Sequence, residues 1–166
     1  MRSGIFCDIA VLMIAVLSTF SIGLVEAARP INGTLIKSGE LNGYGELNIV
    51  NNLQEDAVAI LTDLDNNTVL SAYVWGNRNY VNISGIEDGQ YYLYFVTGRD
   101  WDPELGKFMA DAGFSMMNKP IDFRTKETWE SVSFGIMNVQ INATQRSRAS
   151  DSDEEKALQE SFPKAI

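Results

Sequence analysis

From Gly43 onward the chain alternates apolar and polar residues at a period of two, in short runs separated by turn-forming residues. Leu47 and Ile49 alternate with Glu46 and Asn48, the signature of a half-buried strand. Asn51–Glu55 reads as a turn. Asp56–Thr62 is apolar on both faces, with Val58 and Ile60 on one and Ala57, Ala59 and Leu61 on the other, which predicts a central strand. Asp63–Asn67 is a loop, Thr68–Trp75 a strand, Gly76–Asn79 a turn and Tyr80–Ile83 a strand. After the turn Gly85–Gly89, Tyr91–Thr97 is the most hydrophobic stretch past residue 28. Arg99–Gly106 reads as a polar loop. Lys107–Met117 is either a strand or irregular, and Pro120–Phe123 is short and extended. Thr128–Ile141 reads as one long strand with a bulge or break near Met137–Asn138, where the apolar phase changes from Val132, Phe134 and Ile136 to Val139 and Ile141.

The two ends follow other patterns. Met1–Arg2, the apolar run from Ile9 to Leu17 and the small residues of Val25–Glu26–Ala27 form the three parts of a secretory signal, with cleavage expected after Ala27. The run is short for a bilayer span, which needs about 20 apolar residues. A membrane attachment would arise only if this segment stayed uncleaved. The expected organisation is a signal at 1–27, an extended lead-in at 28–42 with one edge strand at Thr34–Lys37, a β-sandwich at 43–142, and a polar, disordered tail at 143–166. Within the tail, Ser152 and Glu155 resemble a capping box, and Leu158 and Phe162 lie four apart, so a short terminal helix is a candidate there. Short strands without a long helix before residue 150 predict an all-β, antiparallel sandwich, Ig-like or prealbumin-like.

Composition narrows the chemistry. There are 13 basic and 22 acidic residues, for a net charge of −9. Such a surface repels phosphate backbones, so nucleic acid is not an expected partner. The chain has no histidine, which removes the commonest general base and zinc ligand. Cys7, the only cysteine, lies within the expected signal, so the fold beyond it uses no disulfide.

Several pieces of the β region read together resemble a family of uncharacterised secreted or surface-exposed prokaryotic domains. They are Gly45–x–Leu47–x–Ile49–x–Asn51, Asp56–Ala57–Val58, Tyr73–Val74, Ile83–x–Gly85–Ile86, Gly89–x–Tyr91–x–Leu93–Tyr94 and Gly98–x–Asp100–Trp101–Asp102, with Phe108 and Phe123 after them. Ile86–x–x–Gly89–x–Tyr91–x–Leu93 is also similar to a piece of carboxypeptidase-regulatory-like and transthyretin-like sandwiches. The resemblance covers about residues 45–141 and implies a non-catalytic extracellular sandwich; it carries no activity to transfer.

The best local candidate for ligand chemistry is Asp100–Trp101–Asp102–Pro103–Glu104. The carboxylates of Asp100, Asp102 and Glu104 would supply oxygen ligands to calcium. Trp101, with Asp100 and Asp102 beside it, would stack on a sugar. The bland alternative tucks Trp101 under a sheet edge among solvated acids. Asp63–Leu64–Asp65–Asn66–Asn67 begins like a calcium loop, but Thr68 and Val74 stand where glycine and glutamate are required, so it reads as a turn. Tyr73, Trp75, Tyr80, Tyr92 and Tyr94 either line one sheet face as an aromatic platform or belong to an ordinary core. Four N-x-S/T sequons mark Asn32, Asn66, Asn82 and Asn142 as candidate glycan acceptors, with Asn66 in a turn the best placed.

These readings lead to an exported, non-catalytic module of the cell surface or envelope, binding a protein or surface component and needing no cofactor. The alternative is a carbohydrate- or calcium-dependent binding module, with a polysaccharide as partner. A small extracellular hydrolase is a lesser one, since no nucleophile, base and oxyanion set can be assembled from the sequence.

Overall fold

The computed structural model describes residues 29–143 and 163–166. The expected signal and the candidate terminal helix lie outside the described residues. Among the described residues the strands are β1 (Leu35–Ser38), β2 (Gly45–Asn51), β3 (Asp56–Thr62), β4 (Thr68–Val74), β5 (Asn79–Ile86), β6 (Gly89–Asp102), β7 (Lys107–Met116), β8 (Ile121–Phe123), β9 (Lys126–Glu127), β10 (Val132–Ser133) and β11 (Ile136–Ile141). One sheet runs β1-β4-β3-β6-β7, with β8 added beside the start of β6. A second sheet runs β11-β2-β5, and β9 and β10 form a separate hairpin. Among the described residues no helix is long and apolar enough to cross a membrane.

The predicted class holds: this is an all-β, mostly antiparallel sandwich of Ig-like arrangement. Period-two alternation sets the interior between the sheets. Leu47 and Ile49 of β2, Val81 and Ile83 of β5, and Val139 and Ile141 of β11 meet Ala59 and Leu61 of β3, Leu70 and Ala72 of β4, and Leu93 and Phe95 of β6. Phe123 of β8, almost fully buried, closes one end against Tyr91, ring to ring at 6.0 Å. As predicted, β3 is central, between β4 and β6.

The edge strand expected in the lead-in is present one residue later, as β1, which pairs with β4 at the edge of the larger sheet, and Gly33 N–H donates to Tyr73 O at 2.8 Å, holding the N-terminal stretch on the sheet. Three expectations need correction. Arg99–Gly106 is not a loop. β6 continues to Asp102 and pairs with β7, Trp101 opposite Phe108 and Asp102 opposite Lys107, so only the tip turns. The strand was hidden because aspartate and proline are poor strand formers and because the register shift after Thr97 changes the face on which the apolar residue falls, with Leu93 and Phe95 in the inner core and Trp101 in the outer one. Thr128–Ile141 is not one strand either. The break falls at Phe134–Gly135 rather than Met137–Asn138, and β11 pairs without interruption with β2 in parallel, not antiparallel. The phase change was therefore real, but Val132 and Phe134 belong to an exposed hairpin instead of the core. Finally, part of the tail is ordered. Pro163–Ile166 cross the outer face of the larger sheet, where the Thr68 hydroxyl donates to Lys164 O at 2.8 Å and the Ser71 hydroxyl donates to Ala165 O.

That outer face carries a second core. Val58, Ile60 and Tyr73 pack beneath Trp101, Phe108 and Ala165, with Ile36, Trp75, Tyr94 and Val96 around them. The end of β6 and the start of β7 therefore form an arm folded over the sheet, and the C-terminal residues strap the rest.

Candidate functional site

The arm bends because of its backbone. Thr97 pairs with Gly113 and Arg99 with Ala110, so Asp111 and Ala112 oppose the single residue Gly98. An extra residue on one strand twists and bends the ladder. Asp111 sits at φ 51° and Asp100 at φ 57°, left-handed conformations that aspartate tolerates better than most residues. Gly98 is required by packing: a Cβ there would lie 2.5 Å from Phe108 Cβ. The Arg99 guanidinium spans the bulge to the Asp111 carboxylate, Nε to Oδ2 at 2.7 Å.

Under this bend lies an open cleft of about 830 Å³, lined by Arg29, Gln54, Glu55, Asp56, Tyr73, Asn77, Arg99, Asp100 and Asp102, with Met109 and Trp101 at its apolar side. Its floor is a hydrogen-bonded knot around Asp56, the first residue of β3. One carboxylate oxygen accepts from Arg29 Nε at 2.6 Å and from the Tyr73 hydroxyl at 2.7 Å; the other accepts from Gly76 N–H at 2.9 Å and from the second arm of the Arg29 guanidinium. Burial by itself would raise the Asp56 pKa. The donors from Arg29, Gly76 and Tyr73 outweigh it and hold the carboxyl below its ordinary range. Burial, and then the bond to Asp56, push the Tyr73 hydroxyl well above its ordinary range. Arg29 also lies 4.4 Å over the Trp75 ring, whose Nε1–H donates to Pro30 O at 2.7 Å. The knot thus ties the N-terminal stretch to both β3 and β4.

The predicted residues fare differently. Trp101 is 5% exposed and packs edge-on against Tyr73 at 5.8 Å and Phe108 at 5.0 Å, so its ring is not offered to a sugar. The Asp102 carboxylate accepts from the backbone N–H groups of Glu104 and Leu105, both at 2.9 Å, and shapes the tip of the arm. Asp100 is exposed at the cleft rim. Among the described residues no group of three acidic side chains comes together to hold a metal ion, so Asp100, Asp102 and Glu104 do not form the expected calcium set. The reason is local: the Asp102 carboxylate is consumed by the turn that ends β6, Glu104 lies beyond the strand within that turn, and Asp100 sits in a left-handed conformation that departs from regular strand geometry.

Asp63 behaves as a turn residue, accepting from Asp65 N–H at 3.0 Å and from Asn67 N–H at 2.8 Å, with Asn66 left-handed at φ 66°. The aromatic set divides. Tyr73, Trp75 and Tyr94 share the covered outer face of the larger sheet, whereas Tyr80 stands on the smaller one. Of the sequon asparagines, Asn32 is built into the fold. Its amide nitrogen donates to Tyr80 O at 3.0 Å and its oxygen accepts from Trp75 N–H at 2.8 Å. Asn66 and Asn82 are exposed, and Asn142 accepts from Asn52 Nδ2 at 3.0 Å.

Sequence reasoning missed Arg29, Asp56 and the Arg99–Asp111 pair, because their partners are distant in sequence or hidden by a bulge. It also missed a row of amides across the smaller sheet. Asn48 Nδ2 donates to Asn138 Oδ1 at 3.0 Å, while Asn48 Oδ1 accepts from Asn82 Nδ2 at 2.7 Å and from the Tyr80 hydroxyl at 2.6 Å. The period-two asparagines of β2, β5 and β11 were the available signal. In comparisons with known proteins, the chain matches no family model, no curated protein and no solved structure.

Proposed function

We propose that this chain is an exported, non-catalytic binding module of the cell surface or envelope, and that the cleft under the β6–β7 arm is its recognition site. The secretory pattern of residues 1–27 supports export. The observation that carries the binding role is the cleft. Of its lining, the fold holds Asn77 and Asp100 in left-handed conformations, places a charged knot at the floor, and keeps Gln54 at the rim. Strained backbone of this kind collects where a ligand is positioned. The lining argues against hydrolysis: Asp56 is engaged on both oxygens, and Tyr73, its pKa raised, is a poor nucleophile at neutral pH.

A second reading, a carbohydrate ligand, is favoured by the planar amide and carboxylate groups at the rim, which pair well with hydroxyls. The sugar would be held by hydrogen bonds rather than by stacking on Trp101. Asn66 is the sequon site best exposed for a glycan, since the Asn82 amide nitrogen is engaged by Asn48.

The test is co-sedimentation of the protein with isolated cell envelopes and with purified envelope polysaccharide, beside Gln54→Ala and Asp100→Asn. Asparagine keeps the left-handed backbone at residue 100 while removing its charge. Binding that falls at least several-fold in both variants supports the cleft. Envelope binding without polysaccharide binding selects a protein partner, and binding unaffected by either substitution sinks the proposal.

A further inference from the structure

Among the described residues the smaller sheet ends in an uncovered edge. β11 pairs with β2 on one side only. Gly135 O accepts from Glu46 N–H and Ile141 O from Asn52 N–H, both at 3.0 Å, so odd-numbered residues turn their backbone groups toward β2. In a parallel pair the even-numbered Ile136, Asn138 and Gln140 therefore point theirs outward. Among the described residues nothing bonds to those groups. Natural edges are blunted by charge, bulges or cover. The larger sheet follows that rule: β1 carries Lys37, and β7 carries Lys107, Asp111 and a bulge. On the smaller sheet β5 is partly covered, since Gly85 O accepts from Gly43 N–H at 2.9 Å and Tyr80 O from the Asn32 amide at 3.0 Å. β11 reads Ile-Met-Asn-Val-Gln-Ile, with no charge, proline or bulge.

We infer that β11 is a pairing edge for a second copy of this chain, joined antiparallel about a two-fold axis through Asn138. The register follows from chemistry. Side chains opposite each other must share a face, which rules out an axis midway between two residues. With Asn138 opposite its counterpart, Ile136 faces Gln140 of the second copy, and every outward N–H and C=O of Ile136, Asn138 and Gln140 finds a partner. Met137 then lies beside Val139 of the other copy on the inner face, which extends the apolar layer. On the outer face the Asn82–Asn48–Asn138 row continues across the axis into the same row of the second copy. A second copy fits better than an arbitrary peptide because the strip is self-complementary in both backbone and amide side chains. An uncharged strip is also where two chains of net charge −9 can approach most closely.

The experiment is light scattering coupled to size exclusion on the full chain, from micromolar to near-millimolar concentration and at low and high salt. It is paired with oxidative cross-linking in a Cys7→Ser background. Dimer is expected to grow with concentration and with salt, which screens the like charges. Asn138→Cys should give a disulfide-linked dimer, because directly opposed residues of a hydrogen-bonded pair lie about 5.5 Å apart between Cα atoms, within disulfide reach. Ser84→Cys, exposed on β5 of the same face, should not. Gln140→Lys should abolish association while leaving the melting temperature unchanged at micromolar concentration, where the monomer predominates. A monomer throughout, equal cross-linking at residues 84 and 138, or a dimer indifferent to Gln140→Lys would each overturn the inference. None of these outcomes depends on the cleft.

Discussion

The two outer faces of the sandwich are built on opposite terms. On the smaller sheet, outward positions carry Asn48, Tyr80, Asn82 and Asn138, linked in a hydrogen-bonded row with solvent beyond it. On the larger sheet the outward residues are Val58, Ile60 and Tyr73, all almost fully buried beneath the arm and the C-terminal strap. An antiparallel sheet commonly leaves one face wet. Here the larger sheet spends none of its central strand on solvent, so the chain must supply a cover, and the seam between cover and sheet is where the cleft opens. The difference teaches that the candidate site is a by-product of a doubly buried strand, placed where the cover begins to bend.

If this contrast is right, truncating a side chain of the cover should cost far more than truncating one of the amide row. Trp101→Ala is expected to lower stability by about 3–5 kcal/mol, as for large buried aromatics. Chemical denaturation reads it, and a loss no larger than that of a surface change would mean the arm is not part of the core.

Asp56→Ala should follow at about 2–3 kcal/mol, since it strands the half-buried donors of Tyr73 and Gly76. Its pH signature is more specific. The folded carboxyl is held below its unfolded value near 4, so its contribution is complete above that pH and is lost as pH falls through the folded value. Melting temperature against pH should therefore drop in acid for the native chain, and drop less steeply over that window in Asp56→Asn.

Removing Pro163–Ile166 should cost about 2 kcal/mol, from two lost hydroxyl-to-carbonyl bonds and the uncovered apolar surface. Tryptophan emission would shift to the red if water reaches Trp101. Gly106 gives a related check: it sits at φ 61° with Ile166 Cδ1 2.8 Å from where a Cβ would be, so Gly106→Ala should loosen the strap. The smallest effect is expected on the wet face, where Asn48→Ala should cost about 1 kcal/mol or less, because its partners Tyr80 and Asn82 can turn to water. A larger loss there than at Trp101 would reverse the comparison.

Much of this contrast was legible in the chain. The alternation of β2 and β5 assigned one face to the core and the other to polar residues, and the two-sided apolar run of β3 marked a central strand needing cover on both sides. What covers it was not legible. Trp101 and Phe108 belong to strands whose polar neighbours imitate a loop, and Pro163–Ile166 follow a charged stretch that reads as a tail. The predicted site fared similarly. Asp100 does stand at the cleft, but its expected companions are turned to other work: Trp101 into the packing, Asp102 into the turn.

By itself the sequence determined the all-β class, the central strand and the position of most turns, because each depends on neighbours two to five residues apart. Only the tertiary structure decided that Arg29 would meet Asp56, that β11 would run parallel to β2, and that the chain's last residues would lie on the outer face. Those outcomes rest on contacts between residues far apart in the chain. Local pattern can say that a face must be covered, and it leaves open which distant segment covers it.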